Sequence, residues 1–456
     1  MDVRENTENN LTTDTAVEVA ANAASGAVTA GRPKIRRVIL GIVIFLLCAG
    51  LLFCYLNKVF SMGDSDANRQ TFKAFYAEPK DTIDVMYLGT SASNRYFINP
   101  LAYEEEGMTC FTIATMGMPM FFVPDLIDEV RKTQDPKLYI IEMRWLLKDR
   151  ELITDAHIRR VTDNLKYSSI KKDALETAFA EMDGSKGMLG DIGELGLDYY
   201  IPILKYHGRL AEGKMSPGDF KLTATKNKTK GYVMSFNTTK QVNQFPGKVS
   251  EKREPMSDIA EKALNETLDK CDELTKDRDV QVLFVLSPYC CLKGQKPIFN
   301  TAFDIVRERG YTVLDFNRPE MYEELGLDFD KDYYNSKHVN YIGAEKYTRY
   351  LTKYLAEHYD LPDHRGEAGY ESWEDAFAIY QEYVSGGIDT IGVKAYRGGP
   401  VKTIKFKGKV LNKKEMEALD EEKEQILQER NEQDGVLEEA EQKEAEQNEA
   451  ENTEEK

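Results

Sequence analysis

Short, continuous apolar runs alternate along the chain with segments whose apolar residues recur every three to four positions, the pattern of buried strands separated by amphipathic helices. Asp84–Leu88, Leu138–Ile141, Val280–Leu286 and Tyr311–Leu314 read as strands, and their near-uniform apolarity suits a sheet covered on both faces. Before the third of these, Ser257 to Leu274 places Ile259, Ala263, Leu264, Leu268 and Cys271 at helical spacing after Pro255, with Asp258 as a candidate cap. Ile298 to Arg309 reads as helix in the same way. A further helix is expected from Trp373 to Val384, capped by Ser372, with Trp373, Phe377, Tyr380 and Val384 on or near one face that packs onto the domain. Parallel neighbours need crossover helices, so the alternation predicts an α/β fold with a doubly wound, mostly parallel sheet.

One run breaks the pattern. Val38 to Leu56 holds no charge, and about 19 residues rising ~1.5 Å each nearly cross a bilayer core of ~30 Å. The run lies far from Met1 and ends in Tyr55-Leu56-Asn57-Lys58 with no small-x-small site, so it reads as an uncleaved transmembrane anchor over 38–57 rather than a signal peptide. A lipoprotein signal fits no better, because Phe53 precedes Cys54. Arg32, Lys34, Arg36 and Arg37 precede the run and only Lys58 follows closely, which by the positive-inside rule puts the N-terminus in the cytoplasm and the main domain outside the cell.

The remaining chain divides by composition. Residues 1–37 form a polar, disordered cytoplasmic N-terminus, 58–81 a linker, 82–360 the α/β domain, and 361–408 a C-terminal extension. Within the domain, about 150–250 is an irregular, Lys-, Gly- and Tyr-rich insertion of helices and long loops. Residues 409–456 are an acidic tail, disordered or helical: Met416, Leu419, Ile426 and Leu427 come near helical spacing, but beyond Leu437 little apolar surface is left to offset the entropy of ordering.

At 456 residues and 41% hydrophobic content the chain is long enough for one domain of roughly 250 to 300 residues with a full core, plus extensions. A formal net charge of -18 argues against nucleic-acid partners, and much of that charge sits in the tail. Six cysteines suggest no disulfide framework; the adjacent Cys290 and Cys291 read as small buried residues at a strand end.

Candidate chemistry lies at two places. The first strand runs into Gly89-Thr90-Ser91-Ala92-Ser93-Asn94, and ligands of open α/β sheets bind beyond the carboxyl ends of strands. Taken alone, this is also a turn glycine with a capping serine. The chain has five histidines, and one of them, His338, sits before an amphipathic helix in Asp332-Tyr333-Tyr334-Asn335-Ser336-Lys337-His338-Val339-Asn340-Tyr341-Ile342-Gly343-Ala344, where a general base would face the same crevice as Ser91. Tyr96, Tyr333, Tyr334 and Tyr341 flank these segments, as sugar-binding aromatics or as packing residues.

Together the two segments resemble the first and last blocks of the SGNH (GDSL-type) hydrolases, over roughly residues 82–357, and within them the membrane-anchored branch of bacterial envelope D-alanine transfer and polysaccharide O-acetylation proteins. The resemblance implies Ser91 as nucleophile, His338 as its base, and the backbone N–H groups of Ser91 and Gly117 as the oxyanion hole. It implies no metal or cofactor. Two positions depart from the family pattern: Asn335 stands where an Asp three before the histidine is usual, leaving Asp332 or Asn335 to orient His338, and Ile141-Glu142-Met143-Arg144-Trp145 lacks the third-block Asn. Arg144 reads there either as an anion-binding group or as half of a surface salt bridge. The expected function is serine-dependent acyl transfer or ester hydrolysis on an envelope polysaccharide or teichoic-acid-like polymer, at the bacterial membrane, with a multispan membrane O-acyltransferase as partner. The alternative is a non-catalytic scaffold of the same fold.

Because the only span-length apolar run lies before residue 58, deleting residues 1–58 is expected to give a soluble, cooperatively folded protein. An insoluble product under mild expression would point to a second membrane contact.

Overall fold

The computed structural model describes residues 32–63, 66–147, 152–182, 195–221, 229–236, 249–276, 278–289 and 294–386. Both ends of the chain, the acidic tail and Cys290 and Cys291 lie outside the described residues. Two compact units divide at Ser61 and Met62. In the first, helix α1 (Arg32–Val59) contains the apolar span Ile35–Val59, whose 25 residues are long and apolar enough to cross a membrane.

The second unit is built on five parallel strands: β1 (Val85–Thr90), β2 (Cys110–Thr115), β3 (Leu138–Glu142), β4 (Gln281–Leu286) and β5 (Thr312–Asp315). Their order is β2-β1-β3-β4-β5, so the chain runs outward from β1 to one edge, returns, and then fills the other side. Register matches Thr90 with Thr115, Leu88 with Ile141, and Ile141 with Phe284. Every residue of β1, β2 and β3 is buried, which explains their uninterrupted apolar reading. The pleat divides their side chains between two cores: Met86, Leu88, Ile113 and Ile141 face one, Val85, Tyr87, Cys110 and Ile140 the other.

Helices cover both faces. In chain order they are α2 (Ala67–Phe75), the single turn α3 (Ser91–Asn94), α4 (Asn99–Glu106), α5 (Val123–Val130), α6 (Asp155–Thr162), α7 (Ser169–Met182), α8 (Asp258–Thr275), α9 (Gln295–Glu308), α10 (Pro319–Leu325), α11 (Tyr341–His358) and α12 (Glu371–Gly386). Helices α2, α5, α8 and α9 bring Phe72, Leu126, Leu264 and Phe303 to the first core, while α4 and α11 bring Leu101, Ala344, Tyr347 and Leu351 to the second. The expected face of α12 splits: Trp373 joins the first core and Tyr380 the second.

Several expectations from sequence are corrected. Residues 58–81 are not merely a linker, because α2 buries Phe72 and Phe75 in the core. The strand β2 went unread because Thr112 and Thr115 interrupt its apolar character; inside the fold, the Asn99 amide donates to Thr112 Oγ1 at 3.0 Å. Helix α8 begins at Asp258, so Ser257, not Asp258, is the cap residue. Helix α12 begins at Glu371, which places Ser372 in its first turn rather than at its cap. The insertion after β3 contains α6, α7 and three one-turn helices between Leu197 and Ala211.

A buried ion pair ties the ends of the domain together. Lys230 Nζ lies 2.9 Å from Glu78 Oε2, donates to Ser372 Oγ at 2.8 Å and sits 3.6 Å from the ring of Trp373. Both charged side chains are at least nine-tenths buried, so removing one strips the other of its buried counter-charge. Lys230→Met is expected to lower the unfolding free energy by about 3–5 kcal/mol. Adding Glu78→Gln should recover part of that loss, as read by urea unfolding followed through tryptophan fluorescence.

Candidate active site

At the carboxyl end of β1, Gly89 passes so close to β3 that a Cβ there would lie 2.7 Å from Glu142 Cβ and 2.0 Å from Ser93 Oγ. Only glycine fits. Thr90 then caps α3, its Oγ1 accepting the Ala92 N–H at 3.1 Å, and Ser91 becomes the first residue of that turn. Ala92, Ser93 and Asn94 are buried, whereas Ser91 stays half-buried at the sheet edge. The order β2-β1-β3 places this turn at the switch point, where the connections after β1 and β3 diverge and open a crevice.

His338 reaches the same place from a small hairpin, β6 (Tyr333–Asn335) and β7 (His338–Val339), in which Asn335 pairs directly with His338. His338 therefore sits in a short strand. Asn340 ends the hairpin by capping α11, accepting the N–H of Ile342 at 3.0 Å and of Gly343 at 3.3 Å. Gly343 has no room for a side chain, since a Cβ would meet the Asp332 carbonyl at 2.5 Å. The Asn-x-x-Gly part of the segment is thus architectural.

Ser91 Oγ and His338 Nε2 are 2.7 Å apart, and His338 Nδ1 is 3.0 Å from Asn335 Oδ1. Asn335 Oδ1 also accepts the Lys337 N–H at 2.9 Å, which sets the orientation of the amide. A carbonyl oxygen can only accept, so the ring proton resides on Nδ1 and Nε2 is left to accept from the serine hydroxyl. Asp332 is not the orienting residue: its Oδ2 accepts the Asp328 N–H at 2.7 Å and pairs with Lys346 Nζ at 2.6 Å, a buried support beneath α11.

Burial, followed by the nearby cations Arg144, Arg95 and Lys337, holds the His338 imidazole well below its ordinary value. It is neutral near pH 7, the state a general base requires. Tyr334 stacks on the imidazole with centroids 5.3 Å apart, and the Arg95 guanidinium lies 5.0 Å from the Tyr334 ring.

Arg144 departs from its reading as half of a surface salt bridge. Its guanidinium lies between the rings of Tyr96 and Tyr289, at 4.8 and 4.5 Å, and donates to the Lys337 carbonyl and to Ser287 Oγ. Tyr96 O–H donates to the same Lys337 carbonyl at 2.9 Å, so both groups brace the residue preceding His338. Below them, Glu142 is fully buried, its carboxyl pushed upward by burial, and accepts from the Tyr87 hydroxyl at 3.0 Å and the Ser287 N–H at 3.2 Å. Tyr333 stacks on Phe329 and Tyr341 packs against Phe236. Of the four flanking tyrosines, Tyr96 and Tyr334 touch the site's machinery.

Gly117 follows β2, the immediate neighbour of β1, in a turn with φ of 63°. Among the described residues, its N–H meets no acceptor and is available to a ligand oxygen.

Comparison of the chain with protein-family models, with curated proteins and with solved structures found no match in any of the three.

Asn335→Asp is expected to raise the His338 titration midpoint by roughly one pH unit or more, because a carboxylate beside Nδ1 favours the imidazolium. Asp332→Asn should leave the midpoint in place and lower stability instead; histidine proton resonances followed across pH distinguish the two. The native depression also predicts a stability slope. Above the unfolded value of about 6.5 both states are neutral at His338, and as pH falls below it the unfolded state takes up the proton first, so stability falls.

Proposed function

We propose that this chain is an SGNH-type serine acyltransferase or esterase of the bacterial cell envelope. On this reading α1 anchors it in the membrane with its N-terminus in the cytoplasm, in line with the basic residues Arg32, Lys34, Arg36 and Arg37 on one side of the span and Lys58 on the other. The observation that carries the proposal is the relay Ser91–His338–Asn335 at the switch point of a parallel sheet, with the Gly117 N–H, which meets no acceptor among the described residues, at the end of the neighbouring strand.

The chemistry follows from these positions. Ser91 Oγ attacks the carbonyl carbon of an ester as its proton passes to His338 Nε2, and the carbonyl π electrons become an oxyanion facing the N–H groups of Ser91 and Gly117. When the carbonyl re-forms, the alcohol leaves with the proton from Nε2, and the acyl group remains on Ser91. Water or a sugar hydroxyl then attacks the acyl-serine, giving its proton to Nε2. Collapse restores Ser91 and releases the acid or the new ester. The acceptor is an envelope polysaccharide or teichoic-acid-like polymer, and a multispan O-acyltransferase delivers the acyl group from the cytoplasmic side.

A fluorophosphonate probe applied to the full chain in mild detergent tests this reading. Stoichiometric labelling of Ser91 is expected, abolished by Ser91→Ala and slowed by about 10⁴-fold or more by His338→Ala. No labelling of the folded protein would favour the non-catalytic scaffold, a reading to which the lack of a carboxylate beside His338 Nδ1 lends its weight.

A further inference from the structure

The Met116–Gly117 peptide occupies the centre of a turn closed by the Met118 N–H and the Thr115 carbonyl at 3.4 Å. A positive φ at the third residue, here 63° at Gly117, is the type II requirement. The type I turn over the same four residues differs chiefly by a half-rotation of this central peptide. In a planar trans peptide the C=O of Met116 and the N–H of Gly117 point opposite ways, so the half-rotation would reverse both. Whatever grips the Met116 carbonyl therefore decides where the Gly117 N–H points.

Two side chains from outside the sheet hold Met116 at both of its backbone polar groups. Arg160, on α6, donates from Nη1 to the Met116 carbonyl at 3.2 Å. Asn68, on α2 and 4% exposed, accepts the Met116 N–H through Oδ1 at 3.2 Å. The Asn68 amide cannot turn over, because its Nδ2 donates to Asp66 Oδ1 at 3.1 Å, and Asp66 is itself the cap of α2. The Gly117 N–H on the far side of this fixed peptide is left without a protein acceptor among the described residues.

We infer that Arg160 and Asn68 are positioning residues for the oxyanion hole: Asn68 anchors Met116 through its N–H, and Arg160 locks the Met116–Gly117 peptide in the one orientation that offers the Gly117 N–H to a tetrahedral intermediate. The inference rests on the serine acyl-transfer reading. It makes the insertion between β3 and β4 part of the catalytic apparatus, since α6 belongs to it. It also gives Gly117 a reason to be glycine beyond space, because a side chain at positive φ would favour the turned-over peptide.

The test is hydrolysis of p-nitrophenyl acetate by the full chain in detergent. Arg160→Ala is expected to lower kcat roughly 10- to 100-fold, below the 10²- to 10³-fold typical of losing an oxyanion donor outright. KM, the acid limb of the pH profile and the melting temperature should be unchanged, because substrate contacts and His338 are untouched. Arg160→Lys, which can still donate to a carbonyl, should restore most of kcat. Wild-type kcat in Arg160→Ala overturns the inference, as does a loss that follows a lowered melting temperature and is not recovered by lysine. If wild-type hydrolysis does not depend on Ser91, the serine reading itself fails; if it does and Arg160→Ala is indifferent, only the positioning role is lost.

Discussion

A single neutral acceptor, Asn335 Oδ1 at 3.0 Å from His338 Nδ1, determines the state of the candidate site. It selects the tautomer, and the tautomer determines that Nε2 faces Ser91 as an acceptor. A carboxylate would do the same and add a counter-charge for the imidazolium; the amide orients without that charge. The environment agrees with the amide, since Arg144, Arg95 and Lys337 all oppose protonation of the ring. Burial and these charges together favour the neutral imidazole.

Two of the cations beside His338 are occupied elsewhere. Arg144 is placed between two tyrosine rings and directed onto the Lys337 carbonyl, while Arg95 lies over Tyr334. Cations seated on aromatic faces keep their field while their own desolvation is partly offset. The chain is strongly acidic as a whole, at -18, yet this crevice is locally positive. Bulk charge and site charge are separate properties here.

Much of this architecture was legible in the sequence. Four of the five parallel strands, the helices on either side of β4 and the membrane-length helix follow from apolar period, because each is decided by residues close together in the chain; the pairing of Ser91 with His338, 247 positions away, is what the resemblance of their two segments implies. What escaped depends on distant partners. In β2, Thr112 looks polar until Asn99 and the backbone of Lys230 satisfy it. Asp332 and Asn335 cannot be ranked by spacing, because the hairpin register puts Asn335 opposite His338 and the pull of Lys346 takes Asp332 away. Arg144 reads as an anion-binding group or half of a surface salt bridge until Tyr96, Tyr289 and Lys337, spread over 241 positions, close around it.

The clasp formed by Glu78, Lys230 and Ser372 has a consequence for how the protein is made. Its hydrogen bonds join residues 152 and 142 positions apart, and Ser91 meets His338 across 247. Contacts of such separation form late, because the loops they close lose their entropy before the contact repays it. A chain that emerges N-terminus first holds Glu78 without Lys230 over 152 positions, and the pair without Ser372 until α12 has been synthesised. Ser91 likewise has no contact with His338 until that residue arrives. Until then the half-made domain is open, and its completion depends on the last helix among the described residues.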